Sequence, residues 1–218
     1  MITIPEVVEK IVRKTPFLEE GLYRGIINLS ALARLIKPEV EKGTMKEVKE
    51  GAILMALKRL PKTSSLGSKA LEVLKKSHDL IVRSGLTEIT VLNTNFSVEN
   101  HKEIIEILGE ERKFFLTITQ GIFETTIIFS NELKKEIEKI FKKEKIISQF
   151  TNLSSITIRL PGKVVLTPGV FYSILKLLAW EGINVVEVVS TFSEFTIILE
   201  DKEVDQAFSI FKKYLYNI

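Results

Sequence analysis

The chain has 218 residues, of which 45% are hydrophobic and 27% charged, a balance typical of globular proteins with a sizeable core. It contains no cysteine, which excludes disulfide scaffolds, thiol nucleophiles and cysteine-ligated metals and is typical of a reducing compartment. Its net charge of +3 is uneven, because residues 1–65 hold 12 basic and 8 acidic side chains whereas the other 19 basic and 20 acidic residues nearly cancel. A basic start of this size permits nucleic-acid contact without requiring it.

The start of the chain gives no sign of export. It begins Met-Ile-Thr-Ile-Pro-Glu, without the basic start and apolar run of a signal peptide. No window approaches the roughly 20 apolar residues that span a bilayer. We therefore expect a soluble, cytoplasmic protein with no membrane partner. The abundance of Lys and Glu and the scarcity of Gln are typical of a thermophile.

Residues 1–66 predict a small helical domain. The apolar spacing indicates a helix over 5–15, a second that begins at Asn28 or Ser30 and stops before Pro38, and a third over about 45–60. The second and third helices resemble the positioning and recognition helices of a winged-helix domain. This resemblance implies DNA contacts from exposed basic side chains, which are Arg34, Lys46, Lys49, Lys58 and Arg59.

The spacing of these two helices leaves another interpretation open. About eight residues, 37–44, are expected between them, whereas a simple helix-turn-helix uses three or four. Glu47 and Glu50 would also repel phosphates. The domain could instead be a helical protein-interaction or dimerisation module. Beyond it we expect a linker over 60–67, a connecting helix over Ser68–His78, and a wing-like strand over Asp79–Arg83 that pairs with the next strand.

The rest of the chain contains an internal repeat with a spacing of 70 residues. Residues 123–129 align with 193–199, and residues 140–143 align with 210–213. Upstream, the apolar positions Ile104, Ile105 and Leu108 fall on Ile174, Leu175 and Leu178. Because the register holds through three elements, we interpret residues 86–150 (copy one) and 151–218 (copy two) as a duplication.

Each copy predicts strand, helix, strand, strand, helix. In copy one these are a strand over 86–92, a helix capped by Ser97, a hairpin of 114–119 and 122–129, a helix from Asn131 and a closing strand over 145–150. Copy two repeats this with a strand over 155–160, a helix after Pro168-Gly169, a hairpin of 184–191 and 194–199, and a helix from about Glu203. We predict an α+β chain in which two tandem ferredoxin-like βαββαβ domains, 67–150 and 151–218, follow the helical domain.

Copy two carries a recognisable motif. Residues 166–185, Leu-Thr-Pro-Gly-Val-Phe-Tyr-Ser-Ile-Leu-Lys-Leu-Leu-Ala-Trp-Glu-Gly-Ile-Asn-Val, closely resemble the signature of ACT domains, most nearly those that regulate aspartate kinases. Copy one matches only in pattern. The resemblance implies that a small amino acid is held where the first strand–helix loop meets a facing strand, usually across two ACT units. The site residues that it implies are Thr167, Pro168, Gly169, Val170, Phe171, Asn184 and Val185.

The residue chemistry agrees with such a site. Gly169 leaves room for close approach, and the N–H groups of Val170 and Phe171 at the start of the helix favour a carboxylate. Pro168 suits the first helical turn, and Asn184 can offer its side chain to the same ligand. A purely structural interpretation stays open, since Pro-Gly often leads into a helix and Asn184 could cap the turn after Gly182.

Catalytic and metal-binding patterns are missing from the sequence. His78 and His101 have no partner at metal-ligand spacing, and there is no phosphate-binding glycine loop or nucleophile elbow. We therefore expect no enzyme activity, cofactor or metal. Our main hypothesis is an amino-acid-sensing transcriptional regulator that binds double-stranded DNA as a homodimer or tetramer. The alternative is an allosteric subunit that does not bind DNA and docks onto an enzyme of amino-acid metabolism.

Overall fold

The computed structural model of the chain describes residues 2–60, 70, 72–77, 79–108, 113–142 and 145–216. The chain divides into two compact units, Met1–Lys69 (the N-terminal unit) and Ala70–Ile218 (the C-terminal unit). Most of the expected linker and four residues of the expected connecting helix (68, 69, 71 and 78) lie outside the described residues, whereas residues 70 and 72–74 are helical. Across the described ranges, no helix has the length and apolar character needed to cross a bilayer.

The described part of the N-terminal unit is helical. Its helices are α1 (Ile4–Lys14), α2 (Pro16–Tyr23), α3 (Leu29–Thr44) and α4 (Glu50–Arg59). At the start of α1, the Thr3 N–H donates to Glu6 Oε2 over 2.7 Å and the Glu6 N–H donates to Thr3 Oγ1 over 3.4 Å. Such reciprocal bonds satisfy amides that have no acceptor within the helix. Amphipathic spacing then buries one face of each of α1, α3 and α4 in a common core.

The predicted stop before Pro38 is wrong, because α3 continues through Pro38 to Thr44. Proline lacks the N–H that would donate to the Arg34 carbonyl, and it costs a helix interior about 3 kcal/mol. Val40 lies beyond Pro38 and is fully buried in the core. Burial of such a side chain contributes about 1.5–3 kcal/mol, and Gly43 packs against Val7 as well. Tertiary packing therefore outweighs the local preference of proline.

The predicted third helix begins later than expected, at Glu50 rather than Met45. Met45 ends α3 in the left-handed conformation with φ 53°, and the Val48 N–H then donates to Glu41 Oε1 over 3.0 Å. The connection from α3 to α4 is therefore residues 45–49, shorter than the eight residues expected. Helix α2 was not predicted, although Pro16 at its first position is a recognised start signal.

The C-terminal unit alternates strands and helices. Its elements are β1 (Leu80–Leu92), α5 (Val98–Leu108), β2 (Leu116–Gln120), β3 (Glu124–Ser130), α6 (Lys134–Ile140), β4 (Ile146–Arg159), α7 (Val170–Trp180), β5 (Glu187–Ser190), β6 (Glu194–Glu200) and α8 (Val204–Tyr216). The strands form one antiparallel sheet in the order β2-β3-β1-β4-β6-β5. Both predicted ACT-like segments lie within this sheet.

The two central strands are each shared by both copies. Residues 86–92 of β1 pair with β3 and with the first part of β4, which closes copy one. Residues 153–159 of β4 pair with β6, and residues 80–83 of β1 pair with them from the other side. The expectation of a wing over Asp79–Arg83 is therefore wrong. Residues 80–83 are continuous with the next strand and close copy two, and residues 2–60 contain no strand.

Hydrogen bonds at matching positions support the duplication. The Thr87 hydroxyl donates to Asn131 over 2.6 Å, and Ser154 donates to Asp201 at the equivalent place in copy two. Threonine pairs 90/126 and 157/196 are likewise equivalent, with oxygens 3.1 and 2.8 Å apart. The first strands are offset by 67 residues and the later elements by 70. Copy two therefore carries three additional residues between its first strand and its helix.

The sheet has apolar side chains on both faces. Alternating residues such as Ile127 and Ile197 face the helices, in one core for each copy. Their neighbours Ile128 and Ile198 face the opposite side, where they pack with Leu86 and Leu153. Phe115 beside β2, and Val186 and Val189 at β5, join this same cluster. The cluster therefore extends from one edge strand of the curled sheet to the other.

Candidate ligand-binding site

The predicted site in copy two is built on the loop between β4 and α7. After β4, residues 162–166 form a short 3₁₀ helix, and the Thr167 N–H donates to the Val164 carbonyl over 3.0 Å. The Thr167 hydroxyl donates to the Lys163 carbonyl over 2.8 Å. These bonds hold the loop in a defined shape up to Gly169. Pro168 lies in the turn before Gly169, so its expected place in the first helical turn is wrong.

Gly169 is the N-cap of α7 and has a left-handed backbone, with φ 86° and ψ 0°. Only glycine adopts this conformation without strain, which gives the residue a conformational reason in addition to the space it leaves. Its carbonyl accepts the Ser173 N–H over 2.9 Å and the Ser173 hydroxyl over 2.8 Å. Residue 169 has no side chain that could cap the first amides of α7, so these amides can bind an anion.

The two residues that follow have different environments. Val170 is buried in the core of copy two, whereas Phe171 is 45% exposed and stacks on Phe195 with ring centroids 4.7 Å apart. The backbone N–H groups of both residues lie in the first turn of α7, where helix geometry provides no acceptor. The site would therefore bind a ligand mainly through backbone, with an aromatic ring beside it.

Asn184 and Val185 lie at the other end of copy two. Helix α7 separates them from Gly169, and its 11 residues correspond to about 16 Å. Asn184 is exposed, Val185 packs against the core, and β5 begins only at Glu187, so the predicted strand start at Asn184 is wrong. Glu187 pairs with Ile198, and Ile198 pairs with Ser155 near the start of the copy-two part of β4. The loop to Gly169 instead leaves β4 at its other end, after Arg159. Within one copy, the structure does not bring Asn184 to Gly169.

The equivalent loop of copy one is closed by its own side chains. The Asn93 side chain donates to the Gly121 carbonyl over 2.8 Å and accepts from the Thr125 hydroxyl over 2.7 Å. At the start of α5, the Ser97 N–H donates to Asn100 and the Asn100 N–H donates to Ser97, over 2.8 and 3.1 Å. These bonds bear out Ser97 as the cap. They occupy a first-turn amide of α5, whereas α7 of copy two begins without a side-chain cap.

Sequence reasoning missed an apolar rim around the copy-two loop. Val165, Leu166 and Phe192 are 64%, 86% and 71% exposed. Phe192 lies against Gly162, where an added Cβ would be 3.3 Å from the ring. The signal in the sequence was the run Val-Val-Leu between a strand and a helix. Without the loop geometry, such an apolar run is taken for part of the hydrophobic core. Exposed apolar side chains beside a polar backbone site are typical of a surface that becomes covered.

The basic residues proposed for DNA contact are all exposed but do not form one cluster. Lys46 and Lys49 lie before α4, whereas Lys58 and Arg59 are in its last turn. The 10 residues of α4 place these two pairs about 15 Å apart. Arg34 is on α3. Basic side chains at opposite ends of α4 are better placed to contact two separate phosphates than to contact the base edges of one groove segment.

Histidine and acidic groups give no metal centre in the described ranges. No set of three His, Cys, Asp or Glu side chains there could hold a metal ion. His101 lies on α5 with its ring centroid 5.7 Å from that of Phe96. His78, the other histidine of the sequence, lies outside the described residues.

Comparison with solved structures identifies the fold. The chain is similar to the ligand-free regulatory subunit of aspartate kinase from Thermus thermophilus, with a TM-score of 0.50 and 12% identity over 63% of this chain and 97% of that chain. It is also similar to aspartokinase alpha and beta subunits, with a TM-score of 0.50 and 14% identity over 65% of this chain and 99% of theirs. No protein-family profile and no curated protein matches the sequence.

These matches are too long for the N-terminal unit alone, so they include the C-terminal unit, whose strand order is described above. The ACT-like fold that the motif in copy two predicts is therefore confirmed. The winged-helix interpretation of the N-terminal unit stays a prediction.

Proposed function

We propose that this chain is an amino-acid-sensing regulatory subunit that acts on an enzyme of amino-acid metabolism and is not itself an enzyme. The observation that carries the proposal is the asymmetry between the two copies. Copy one caps the start of its helix with Ser97 and Asn100, whereas copy two offers uncapped amides after the left-handed Gly169. A helix start of this kind binds a carboxylate through its N–H groups and its dipole.

The rest of the ligand would be recognised by a second chain. Asn184 and Val185 lie too far from Gly169 in their own copy, so a ligand that touches both needs a neighbouring unit. A two-fold dimer in which the Asn184 end of one chain lies beside the Gly169 end of the other would form two such sites, because an isologous interface repeats every contact twice. Homo-oligomerisation therefore belongs to the proposal, and the exposed rim of Val165, Leu166 and Phe192 is the surface that it would cover.

The direct test is a thermal-shift screen of the twenty amino acids on the full chain. A ligand that binds only the folded state raises the melting temperature by mass action. Gly169→Leu should abolish the shift, because a side chain at φ 86° distorts the start of α7. Gly25→Leu is the matched control, since Gly25 is also left-handed (φ 70°), has open space around it and lies in the N-terminal unit. A screen without any hit, or a hit that Gly25→Leu abolishes and Gly169→Leu does not, would refute the proposal.

Mixing two inactive variants tests the shared site. If Gly169 and Asn184 act across two chains, co-refolded Gly169→Leu and Asn184→Ala chains form mixed dimers that hold one intact site and one doubly altered site. About a quarter of all sites should then bind ligand, although each variant alone binds none. Isothermal titration measures that fraction. Zero recovery, with mixed dimers verified by mass, would place both residues in the same copy and contradict the geometry proposed.

DNA binding is a second candidate function. The observations that favour it are the basic balance of residues 1–65 and the five-residue connection between α3 and α4, which is closer to a helix-turn-helix than the sequence indicated. Exposed apolar side chains of the same unit, including Phe17 and Leu35, favour protein contact instead. Salt-dependent binding to random duplex DNA, lost on Lys49→Glu with Lys58→Glu but kept on Lys102→Glu, would support this candidate. If the chain does not bind duplex DNA at low salt, this second candidate is refuted and the enzyme-directed function is kept.

A further inference from the structure

The apolar cluster on the face of the sheet opposite the two helix-side cores joins the two copies. Leu86 and Ile128 come from copy one, Leu153 and Ile198 from copy two, and none of the four is more than 1% exposed. We call this cluster the seam. The helix-side core of copy one contains only residues 89–146, and that of copy two contains none of these. The seam and the pairing of β1 with β4 are therefore the contacts that set the angle between the copies.

The two strands that cross the seam both bend beside it. Gly85 in β1 and Asn152 in β4 have left-handed backbones, with φ 74° and 56°, at equivalent positions of the duplication. The β1–β4 register shifts between Arg83 and Leu86, and again between Leu86 and Glu88. Irregular pairing of this kind bends a strand and weakens its ladder locally. The curl of the sheet can therefore change along this line without disrupting either helix-side core.

A buried carboxyl group lies at the seam. Glu88 is on β1, two residues after Leu86 and on the same face, and is only 6% exposed. Its Oε2 atom is buried without a hydrogen-bond partner, as is the Thr117 hydroxyl two strands away in the same cross-strand row. Burial, followed by the charge of Glu187, raises the pKa of Glu88 to about 7. Glu187 is on β5 in copy two, so the two carboxyl groups come from different copies.

The remaining charged groups on this face are engaged or lie at strand ends. Arg83 donates to the Lys113 carbonyl over 2.8 Å, Arg159 pairs with Asp79 over 3.3 Å, and Glu200 pairs with Lys202. The exposed carboxylates at the ends of β3 and β6 are Glu124 and Glu194. Strand neighbours of Glu88 on the same face are neutral, namely Ile128 and Thr126 on β3, and Phe150 and Ser148 on β4. Among the residues that the structure describes, Glu187 is thus the charged group that acts on Glu88.

We infer that the seam is a proton-controlled closure between the copies, in which neutral Glu88 allows the curled sheet to close and ionised Glu88 drives it open. In the closed state a charge on Glu88 lacks water and faces a second negative charge. In an open state the carboxyl group is hydrated and ionises in its ordinary range. Within one chain this control acts at Glu88 and Glu187, whereas Gly169 lies at the far end of copy two from Glu187.

The direction of the effect follows from proton linkage. The closed state retains its proton up to about pH 7, and the open state loses it near the ordinary glutamate pKa of 4.5. Opening therefore becomes easier as the pH rises from 4.5 to about 7, and it levels off above that value. A tenfold change in the opening equilibrium per pH unit is the upper limit for one group. Between pH 5 and pH 8 we expect a change of about ten- to a hundredfold.

Hydrogen exchange of the full chain tests this inference. Exchange of residues 86–90 and 187–190, corrected for the intrinsic pH dependence of amide exchange, should rise by this factor between pH 5 and pH 8. Glu88→Gln should remove the rise, because glutamine stays neutral. Glu187→Gln should reduce it, because the remaining effect comes from burial alone. Glu124→Gln, an exposed carboxyl on the same face, is the matched control and should behave like the unaltered chain.

Several outcomes would overturn the inference. Equal corrected exchange at pH 5 and pH 8 in the unaltered chain would do so, and so would a persistent rise in Glu88→Gln. A rise of the same size throughout the C-terminal unit would indicate general loosening rather than opening at the seam. If Glu88→Gln does not fold, the unaltered chain together with Glu187→Gln still decides the question, since an undiminished rise in Glu187→Gln excludes the repulsion.

Discussion

Gly85 and Gly51 show how the backbone conformation of a glycine determines the effect of replacing it with alanine. Gly85 has a φ of 74°, and an added Cβ would have ordinary contact with Asn131 at 3.8 Å. Gly51 lies inside α4 with open space around it. Crowding is therefore minor at both positions, and the backbone conformation decides what an alanine does there.

We expect Gly85→Ala to lower the free energy of unfolding of the C-terminal unit by about 1–2 kcal/mol, because alanine is strained in the left-handed region. Gly51→Ala should raise that of the N-terminal unit by up to about 0.5–1 kcal/mol, because alanine loses less backbone entropy than glycine when it becomes helical. Urea unfolding of the full chain measures both changes. Destabilisation by Gly51→Ala as well would mean that the second position is in contact with something other than solvent.

Glu88 also predicts a pH dependence of stability. The folded state holds its proton up to about pH 7 and the unfolded chain releases it near 4.5, so stability falls between these values and levels off above pH 7. We expect a loss of about 1–3 kcal/mol from the C-terminal unit over this range. Glu88→Gln should flatten the profile and be the more stable protein at pH 8. Urea unfolding at several pH values checks both, and a flat profile in the unaltered chain would contradict the burial of an ionisable carboxyl.

At the scale of elements, the start of α3 gives a clean test of capping. The Asn28 side chain accepts the N–H groups of Ser30 and Ala31 over 3.0 and 3.1 Å. Asn28→Ala should therefore destabilise the N-terminal unit by about 1 kcal/mol. Ser30→Ala, an exposed change two residues away that keeps the backbone N–H, should stay within 0.5 kcal/mol by the rule of thumb for surface positions. Equal losses in the two variants would show that the cap bonds contribute nothing.

Most elements could be predicted from the sequence because their signals are local. The apolar spacing of α1 and α7, the Ser97 cap and the hairpin around Gln120-Gly121 each depend on residues within one or two turns. Pro38 misled the prediction because its local cost is outweighed by the burial of Val40, which depends on other helices. Local helix preference determines where a helix ends if tertiary packing is weak. At Pro38 tertiary packing determines it instead.

The long strands show a second limit of sequence reasoning. Ser84-Gly85 and Thr151-Asn152 have the composition of turns, so β1 and β4 were expected as separate shorter strands. They are instead bulged positions inside strands that continue into the other copy. The pairing of Leu80 with Ile158 joins residues that are far apart in sequence, and no local pattern encodes it. The loop part of the candidate site was predictable from its motif, whereas the separation of Asn184 from Gly169 required the strand order.

For the whole molecule, this pairing makes the two copies inseparable. Copy two lacks a closing strand of its own and obtains it from residues 80–83, while Ala70 and Leu74 are buried in its core. We expect a fragment of residues 70–218 to fold alone and one of residues 151–218 to stay unfolded. Circular dichroism and NMR chemical-shift dispersion distinguish the two. A folded 151–218 fragment would show that the contribution of residues 70–83 is dispensable.

The same pairing has a consequence for synthesis on the ribosome. Residues 80–83 emerge well before Ile158, their partner in the sheet, is translated. At elongation rates of about 5–20 residues per second, this delay is roughly 4–16 s. During that time the backbone groups of residues 80–83 have no partner strand. A ribosome-bound chaperone or a neighbouring nascent chain could occupy that edge first, so the yield of correctly assembled protein should depend on how fast the part of the message that encodes residues 84–158 is read.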